Sequence, residues 1–326
     1  MKSLFARRRF LLACGAALGA AAGPRIARAQ QWPRRPIRAI VPFSVGSSID
    51  IIARIVLEPL AAQLGQPIVV ENRGGAGGTV GAHLVAQAEP DGHTWLIHAS
   101  AHTLTPVVYP RAPYSTEKDF AAVASLGSVP NVILVSPKRG IRTLKELAAL
   151  GKKGQVSFSS AGMGSASHWA AERFRLSAGF DALHVPFKGG PEALIEVVTG
   201  RVDFVSPGLS VALPFVRDGR LLPLAVSTPK RSSALPDVPT TLEAGFPDSD
   251  YTFWNAVFVP VKTPRAIVER LHRELQQALA LPQVKEKLAV QGIEPMPLSP
   301  AEFDALVRKE IATNLAVAKA AKLAFN

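Results

Sequence analysis

"IRAIVPFSVGSSID", residues 37–50, decides the fold. Its first seven residues form a continuous apolar run, the mark of a strand buried on both faces, as parallel strands in α/β sheets are. Small residues then interrupt it, and an amphipathic helix follows with Ile52, Val56, Leu60 and Leu64 at four-residue spacing and Gly65 as its stop. Pro59 lies inside that pattern and is expected to bend the helix or end its first half near Glu58.

The same unit recurs along the chain. Strands are read at 67–72, 94–100, 155–160, 182–187, 201–207 and 221–228, with helices through Val85, over 141–151 and 167–178, and from Pro191 to Gly200. A proline-rich stretch, 229–250, reads as irregular. Residues 251–261 form a strand crossing back, and helices over 264–280 and about 300–322 finish the chain. The expected fold is α/β: two doubly wound lobes joined by crossings near 125–135 and 250–262, with a cleft facing the carboxyl ends of the strands. Lobe 1 is expected to comprise 30–128 and 256–326, and lobe 2 to comprise 129–255.

The first 29 residues read as an export signal. Lys2, Arg7, Arg8 and Arg9 precede an apolar stretch, and Ala27-Arg28-Ala29 is a small-x-small cleavage pattern that makes Gln30 the mature start. Arg7-Arg8-x-Phe10-Leu11 also resembles a twin-arginine signal, so both export routes stay open. Cys14, the chain's one cysteine, is either a lipidation site or a hydrophobic residue of the signal. Removing the segment takes the net charge from +12 to +6, with 31 basic and 25 acidic residues left. Those charges are scattered without interleaved aromatics, which argues against nucleic acid as a partner. The mature chain has no disulfide or cysteine metal site and no later stretch of 18 apolar residues; it reads as an exported monomer.

Four strand-to-helix loops are built alike: Ser44–Ser48, Gly74–Thr79, Gly162–Ser167 and Lys188–Gly190. Glycines and serines there let a ligand approach the backbone, and each loop opens a helix whose first N–H groups lack partners and carry partial positive charge. The bland alternative is turn-making glycines and capping serines. Recurrence across two lobes favours one anion-binding cleft. Candidate contacts are Phe43, Ser44, Gly46, Ser47 and Ser48 from the first loop, and Gly75, Ala76, Gly77 and Thr79 from the second. Gly162, Gly164, Ser165 and His168 come from the third, and Lys188, Gly189 and Gly190 from the fourth. Ser100, His102 and Asp203 lie at other strand ends, although Asp203 also suits support of a strand edge.

Enzyme readings find less support. Taking Gly75 and Gly77 as the first glycines of a dinucleotide fingerprint puts Val80 at the third, and no P-loop pattern is present, so no cofactor is expected. His98 and His102 are not followed by a metalloprotease glutamate, so no metal is expected. Ser165 with His168 suggests a hydrolase, but three residues of separation on one helix start lack the usual triad geometry. Asp50 is expected to serve its helix and pair with Arg54, except where an amino-acid ligand offers it an ammonium. Arg73 suits either a carboxylate clamp or a pairing with Glu71, and Trp254 reads as core or as cleft wall.

"PRRPIRAIVPFSVGSSIDIIARIV", "LGQPIVVENRGGAGGTVGAHLVAQAEPDGHTWLI", "AGMGSASH", "VPFKGGPEAL" and "LPDVPTTLEAG" with "FWNAVFVPVKTP" together resemble the Bug family, the periplasmic receptors of tripartite tricarboxylate transporters. The resemblance implies a type II periplasmic-binding fold that hinges shut over a small carboxylate held by backbone amides, hydroxyls and waters. It also implies a permease of one large and one small subunit as partner; a separate reading has the liganded receptor dock on a membrane regulator. Di- and tricarboxylates, aromatic carboxylates, amino acids and neutral vitamin-like compounds all fit this reading. Val45-Gly46-Ser47 stands where the family usually has Pro-Gly-Gly, and Arg73-Gly74-Gly75 where it usually has Arg-Pro-Gly.

Overall fold

Two five-stranded sheets organise the chain. The computed structural model describes residues 32–154 and 156–320; the export-signal and Cys14 readings and the last residues of the terminal helix lie outside them. The strands are β1 (Ile37–Val41), β2 (Ile68–Asn72), β3 (Thr94–Ala99), β4 (Phe120–Pro130) and β5 (Val132–Val135). They continue with β6 (Ser157–Ser160), β7 (Leu183–Pro186), β8 (Phe204–Val205), β9 (Leu222–Val226) and β10 (Thr252–Pro260). The first sheet has the order β2-β1-β3-β10-β4 and the second β7-β6-β8-β5-β9.

Both sheets are mixed. β2, β1 and β3 run parallel, as do β7, β6 and β8. The strands next to the crossings, β10 and β5, run antiparallel to their neighbours. Reading each order from its outer edge gives one plan used twice, with β6, β7 and β8 in the places of β1, β2 and β3. Three loops per sheet therefore open at the carboxyl ends of parallel strands, where α/β proteins bind ligands.

Side chains explain the boundaries. β1 ends at Val41, two residues earlier than the apolar run suggests, because Pro42 has no N–H for a ladder. The helix Ser48–Leu64 continues through Pro59 in one segment, so of the two expectations, a bend or an end near Glu58, the end does not occur. Its buried stripe of Ile52, Val56, Leu60 and Leu64 packs across the proline and outweighs the one lost hydrogen bond. Gly65 closes it in the left-handed conformation, donating to Ala61 and Ala62. Two helices, Leu209–Arg217 and Pro282–Val290, and most of β4 have no counterpart in the sequence reading.

Each sheet has its own core. Phe158, Phe174, Phe180 and Phe204 fill the second lobe against Leu144 and Leu147. Ile40, Leu96, Trp254, Phe258 and Phe303 fill the first, closed by the helix Pro300–Ala320. The two crossings run side by side. The Ser227 N–H donates to the carbonyl of Asn131 at 2.8 Å, and the Tyr251 N–H donates to the carbonyl of Ser227 at 2.7 Å.

Gly81, in the helix Thr79–Ala86, fixes how the first two loops meet. A Cβ there would lie 2.7 Å from Pro42 Cβ and 2.9 Å from the Arg73 carbonyl, both in the loops after β1 and β2. Gly81→Ala is therefore expected to destabilise the protein by about 1–3 kcal/mol, read from urea denaturation midpoints.

Candidate functional site

The loop after β1 is built around one buried carboxylate. Asp50 Oδ2 accepts the Gly46 N–H at 2.9 Å, Asp50 Oδ1 accepts Asn72 Nδ2 at 3.0 Å, and Arg54 Nε donates at 3.0 Å. Asn72 also donates to the Phe43 carbonyl at 3.0 Å, so the end of β2 braces the end of β1. Burial works to raise the Asp50 pKa, but bonds from Arg54, Gly46 and Asn72 outweigh it and hold the carboxyl below its ordinary value. Asp50 thus serves its helix and loop, and Arg73 pairs with Glu71 at 3.2 Å.

The loop's donors divide into two groups. Gly46 N–H goes to Asp50, Ser47 N–H to the Ser44 carbonyl at 3.2 Å, and Asp50 N–H to the capping hydroxyl of Ser47 at 3.4 Å. Ser48 and Ile49 open the helix, where N–H groups have no intrahelical acceptor, and both residues line a cavity.

That cavity is an inner chamber of ≈ 40 Å³. That is room for a group about the size of three waters. The starts of four helices meet there: Ser47, Ser48 and Ile49; Ser165, Ala166 and Ser167; Gly190; and Gly208, which precedes the helix Leu209–Arg217. Ala99 and Ala101 bring in the end of β3, and Phe43, Pro207, Val211 and Phe253 supply apolar walls. No charged side chain lines it. Four positive helix ends around an uncharged space favour an anionic head.

An outer chamber of ≈ 590 Å³ shares Phe43 and Ala161 with the inner one. Gly75, Ala76, Gly77, Gly162 and Lys188 from the sequence reading line it, together with Tyr109, Met163 and Glu192. The lobes touch across this space. Tyr109 Oη donates to the Met163 carbonyl at 3.0 Å and Ser44 Oγ to Glu192 Oε2 at 3.4 Å. A Cβ on Gly189 would coincide with Ser44 Oγ.

Nine candidates line neither chamber: Ser44 and Gly189 meet at the seam between the lobes, and seven lie elsewhere. Gly46 is turned to Asp50, and Thr79 is buried at its helix start. Ser100 is fully buried behind Ala99 and Ala101, where its Oγ receives Tyr251 Oη at 2.7 Å. His102 packs among Phe120, Tyr114 and Phe258 with no exposure, and burial lowers its pKa to about 3. Asp203 accepts Ser157 N and Oγ at 2.7 and 2.9 Å and pairs with Arg139, so it supports a strand edge. Gly164 N–H donates to His168 Nδ1 at 3.1 Å. His168 stacks on His184 with centroids 4.2 Å apart, and burial, helped by His184 and Arg175, lowers its pKa to about 3. Ser165 Oγ accepts the His168 backbone N–H at 3.2 Å, as a helix cap. The imidazole is engaged with Gly164 instead.

Pro207-Gly208, Phe253, Tyr109 and Ala161 also line the chambers, outside the candidates that the sequence singles out. Pro207-Gly208 carried a usable signal, because a Pro-Gly pair follows a strand and precedes an apolar helix. Phe253 and Tyr109 come from elements that leave no loop signature. Trp254, next to Phe253, is wholly core. Among the described residues no group of three or more His, Cys, Asp or Glu could hold a metal, and no helix is long and apolar enough to cross a membrane.

A family model described as the tripartite tricarboxylate transporter family receptor matches residues 52–323. The chain is 38% identical over 291 residues to a UPF0065 protein in the tcbD-tcbE intergenic region of Pseudomonas sp. (strain P51), covering 88% of this chain and 86% of that one. It is 35% identical to protein BugT of Bordetella pertussis, covering 87% and 88%. Among solved structures, MatC of Rhodopseudomonas palustris with bound malate superposes with a TM-score of 0.83 at 33% identity, covering 88% and 99%. Rpa4515 of R. palustris with adipate gives 0.86 at 31%, covering 90% and 99%.

The Asp50 network has a direct test. Asp50→Ala is expected to cost about 2 kcal/mol at neutral pH, since it orphans the Gly46 N–H and takes the ion pair from Arg54. Because the Asp50 pKa is depressed, its contribution is present above the unfolded value and is lost as pH falls through the folded one. The gap between wild type and variant in urea denaturation should therefore narrow below about pH 4.

Proposed function

Because the chain belongs to the tripartite tricarboxylate transporter receptor family, we propose that it is a periplasmic receptor that closes two lobes over a small carboxylate. It then delivers the ligand to a membrane permease of one large and one small subunit. The observation that carries the ligand class is the meeting of four helix starts around an inner chamber lined by no charged side chain. A carboxylate there is held by backbone N–H groups and the hydroxyls of Ser48 and Ser167, without a desolvated counter-charge.

The chamber volumes set how the ligand lies. The inner space of ≈ 40 Å³ takes a carboxylate head, and the remainder extends toward the outer space past Phe43 and Ala161. Malate and adipate, the ligands seen in the R. palustris structures, each carry a second carboxylate for Lys188 to meet there. The contact set we propose is Phe43, Ser47, Ser48, Ser165 and Gly190 inside, with Gly75, Ala76, Gly77, Gly162 and Lys188 outside. Ser44 and Gly189 form the seam between the lobes.

The protein performs no chemistry in this reading. Closure traps the ligand because the closed form binds it better than the open one. Ser165 is a cap in place of a nucleophile, and the Gly164 N–H holds the ring nitrogen that a base would need.

Thermal-shift screening of the protein against carboxylates tests the ligand class. A true ligand at 100 times its Kd should add about 2.7 kcal/mol of stability. No shift with any mono-, di- or tricarboxylate would overturn the reading. Gly189→Ala tests closure, since the added methyl meets Ser44 across the cleft while Gly189 itself is extended. It should weaken calorimetrically measured binding roughly 10- to 100-fold with little change in the unliganded melting temperature.

A further inference from the structure

A buried hydrogen-bond network lies directly behind the inner chamber. Ala99, Ala101 and Phe253 line that chamber, and the residues between and beside them, Ser100, Thr103 and Trp254, are fully buried. All three lead to Glu310 on the helix Pro300–Ala320. Trp254 Nε1 donates to both Glu310 carboxyl oxygens at 2.9 Å. Thr103 Oγ1 stands 3.3 Å from Glu310 Oε2, 2.7 Å from the Ser100 carbonyl and 3.0 Å from Asn314 Nδ2.

Proton counting on Thr103 decides the state of Glu310. A hydroxyl has one hydrogen to give and two lone pairs to receive. The Ser100 carbonyl accepts only, and it has the shortest contact, so it takes that hydrogen. The Asn314 amide nitrogen donates only and fills one lone pair. The remaining lone pair faces Glu310 Oε2, which completes the network when that oxygen carries a hydrogen. Ionised, Glu310 would instead compete for the Thr103 hydrogen and pull it from the Ser100 carbonyl.

We propose that Glu310 is a positioning residue, carried protonated, whose O–H to Thr103 holds the Ser100–Leu104 turn and β10 as the back wall of the ligand chamber. The proposal rests on the reading of that chamber as a carboxylate site. Ionisation weakens binding in two ways that share a sign: the turn loses its fixed carbonyl, and a buried negative charge appears behind an anion site. Burial raises the Glu310 pKa to about 7; what opposes it are hydrogens given to the ionised form, by Trp254 and, in that form alone, by Thr103.

The other titratable groups around it leave that range clear. Burial holds His98 well below its ordinary value and His102 at about 3, so both stay neutral. Burial also lifts Tyr114 to about 12 and raises Tyr251, so both keep their protons. Arg173 acts on Tyr251 through its charge. On Glu310's own helix, Asp304 receives the Ala122 N–H at 3.2 Å and faces Arg308.

The experiment is a pH profile of malate and adipate binding by calorimetry, for wild type and Glu310→Gln. Glutamine copies the protonated acid, with an oxygen for Trp254 and an N–H for Thr103. Wild-type affinity should fall roughly tenfold between about pH 6 and pH 8, while the variant stays flat at the tighter level. The same fall in both proteins, or a rise, overturns the proposal. Thr103→Val removes the acceptor and keeps the carboxyl; it should bind at pH 6 as weakly as wild type does at pH 8, and undiminished binding also overturns the proposal. If neither diacid binds, the carboxylate reading fails separately, and unliganded melting decides the proton. A raised pKa gives stability that is full below about 4.5 and lost as pH rises through about 7. Wild type should therefore lose melting temperature over that range relative to Glu310→Gln, and parallel profiles would sink the idea.

Discussion

Asp50 is the constraint on which the site depends. One buried carboxylate gathers the Gly46 N–H, the Asn72 amide and the Arg54 guanidinium, and so ties the end of β1 to the end of β2. The loop after β1 would otherwise be a run of small residues with no side chain to define its path. With the loop's internal donors satisfied, the helix Ser48–Leu64 starts beside the inner chamber with first-turn N–H groups that have no intrahelical acceptor. A negative charge beneath the proposed anion site is tolerable because Arg54 pairs with it at 3.0 Å.

The duplicated strand order multiplies this arrangement. Each sheet presents the carboxyl ends of three parallel strands, and each end leads through glycine, serine or alanine into a helical turn. No single helix start binds an anion strongly. Several at one small space, with apolar walls that exclude water, act together in a low dielectric. The crossings that join the sheets are hydrogen-bonded side by side through Asn131, Ser227 and Tyr251, which suits a hinge with two strands.

Much of this was legible in the sequence, and the limits have physical causes. Apolar runs ending in glycine and serine give the parallel strands and four of the loops, because buried strands and backbone-approach loops each demand a composition. Asp50 and Arg54 were readable from helical spacing. Phe253 and Tyr109 were not, since they reach the chambers by long-range pairing of β10 and by a turn near Pro110 whose local pattern says nothing of a cleft. Asp203 and His102 show the converse: polar residues at strand ends that tertiary packing turns to Arg139 and to an aromatic cluster. Pro59 shows packing overriding a local rule.

The inner chamber divides its work between two kinds of atom. Its donors belong to the main chain and to small capping residues, whereas its shape is set by Ile49, Val211 and Phe253. Replacing a wall residue alters volume and leaves every backbone donor where it was. In the proposed binding mode, recognition of the charged head and recognition of the body behind it can therefore drift independently over evolutionary time. A lineage can change its cargo repeatedly by exchanging a few apolar side chains, without rebuilding the frame that grips the common end.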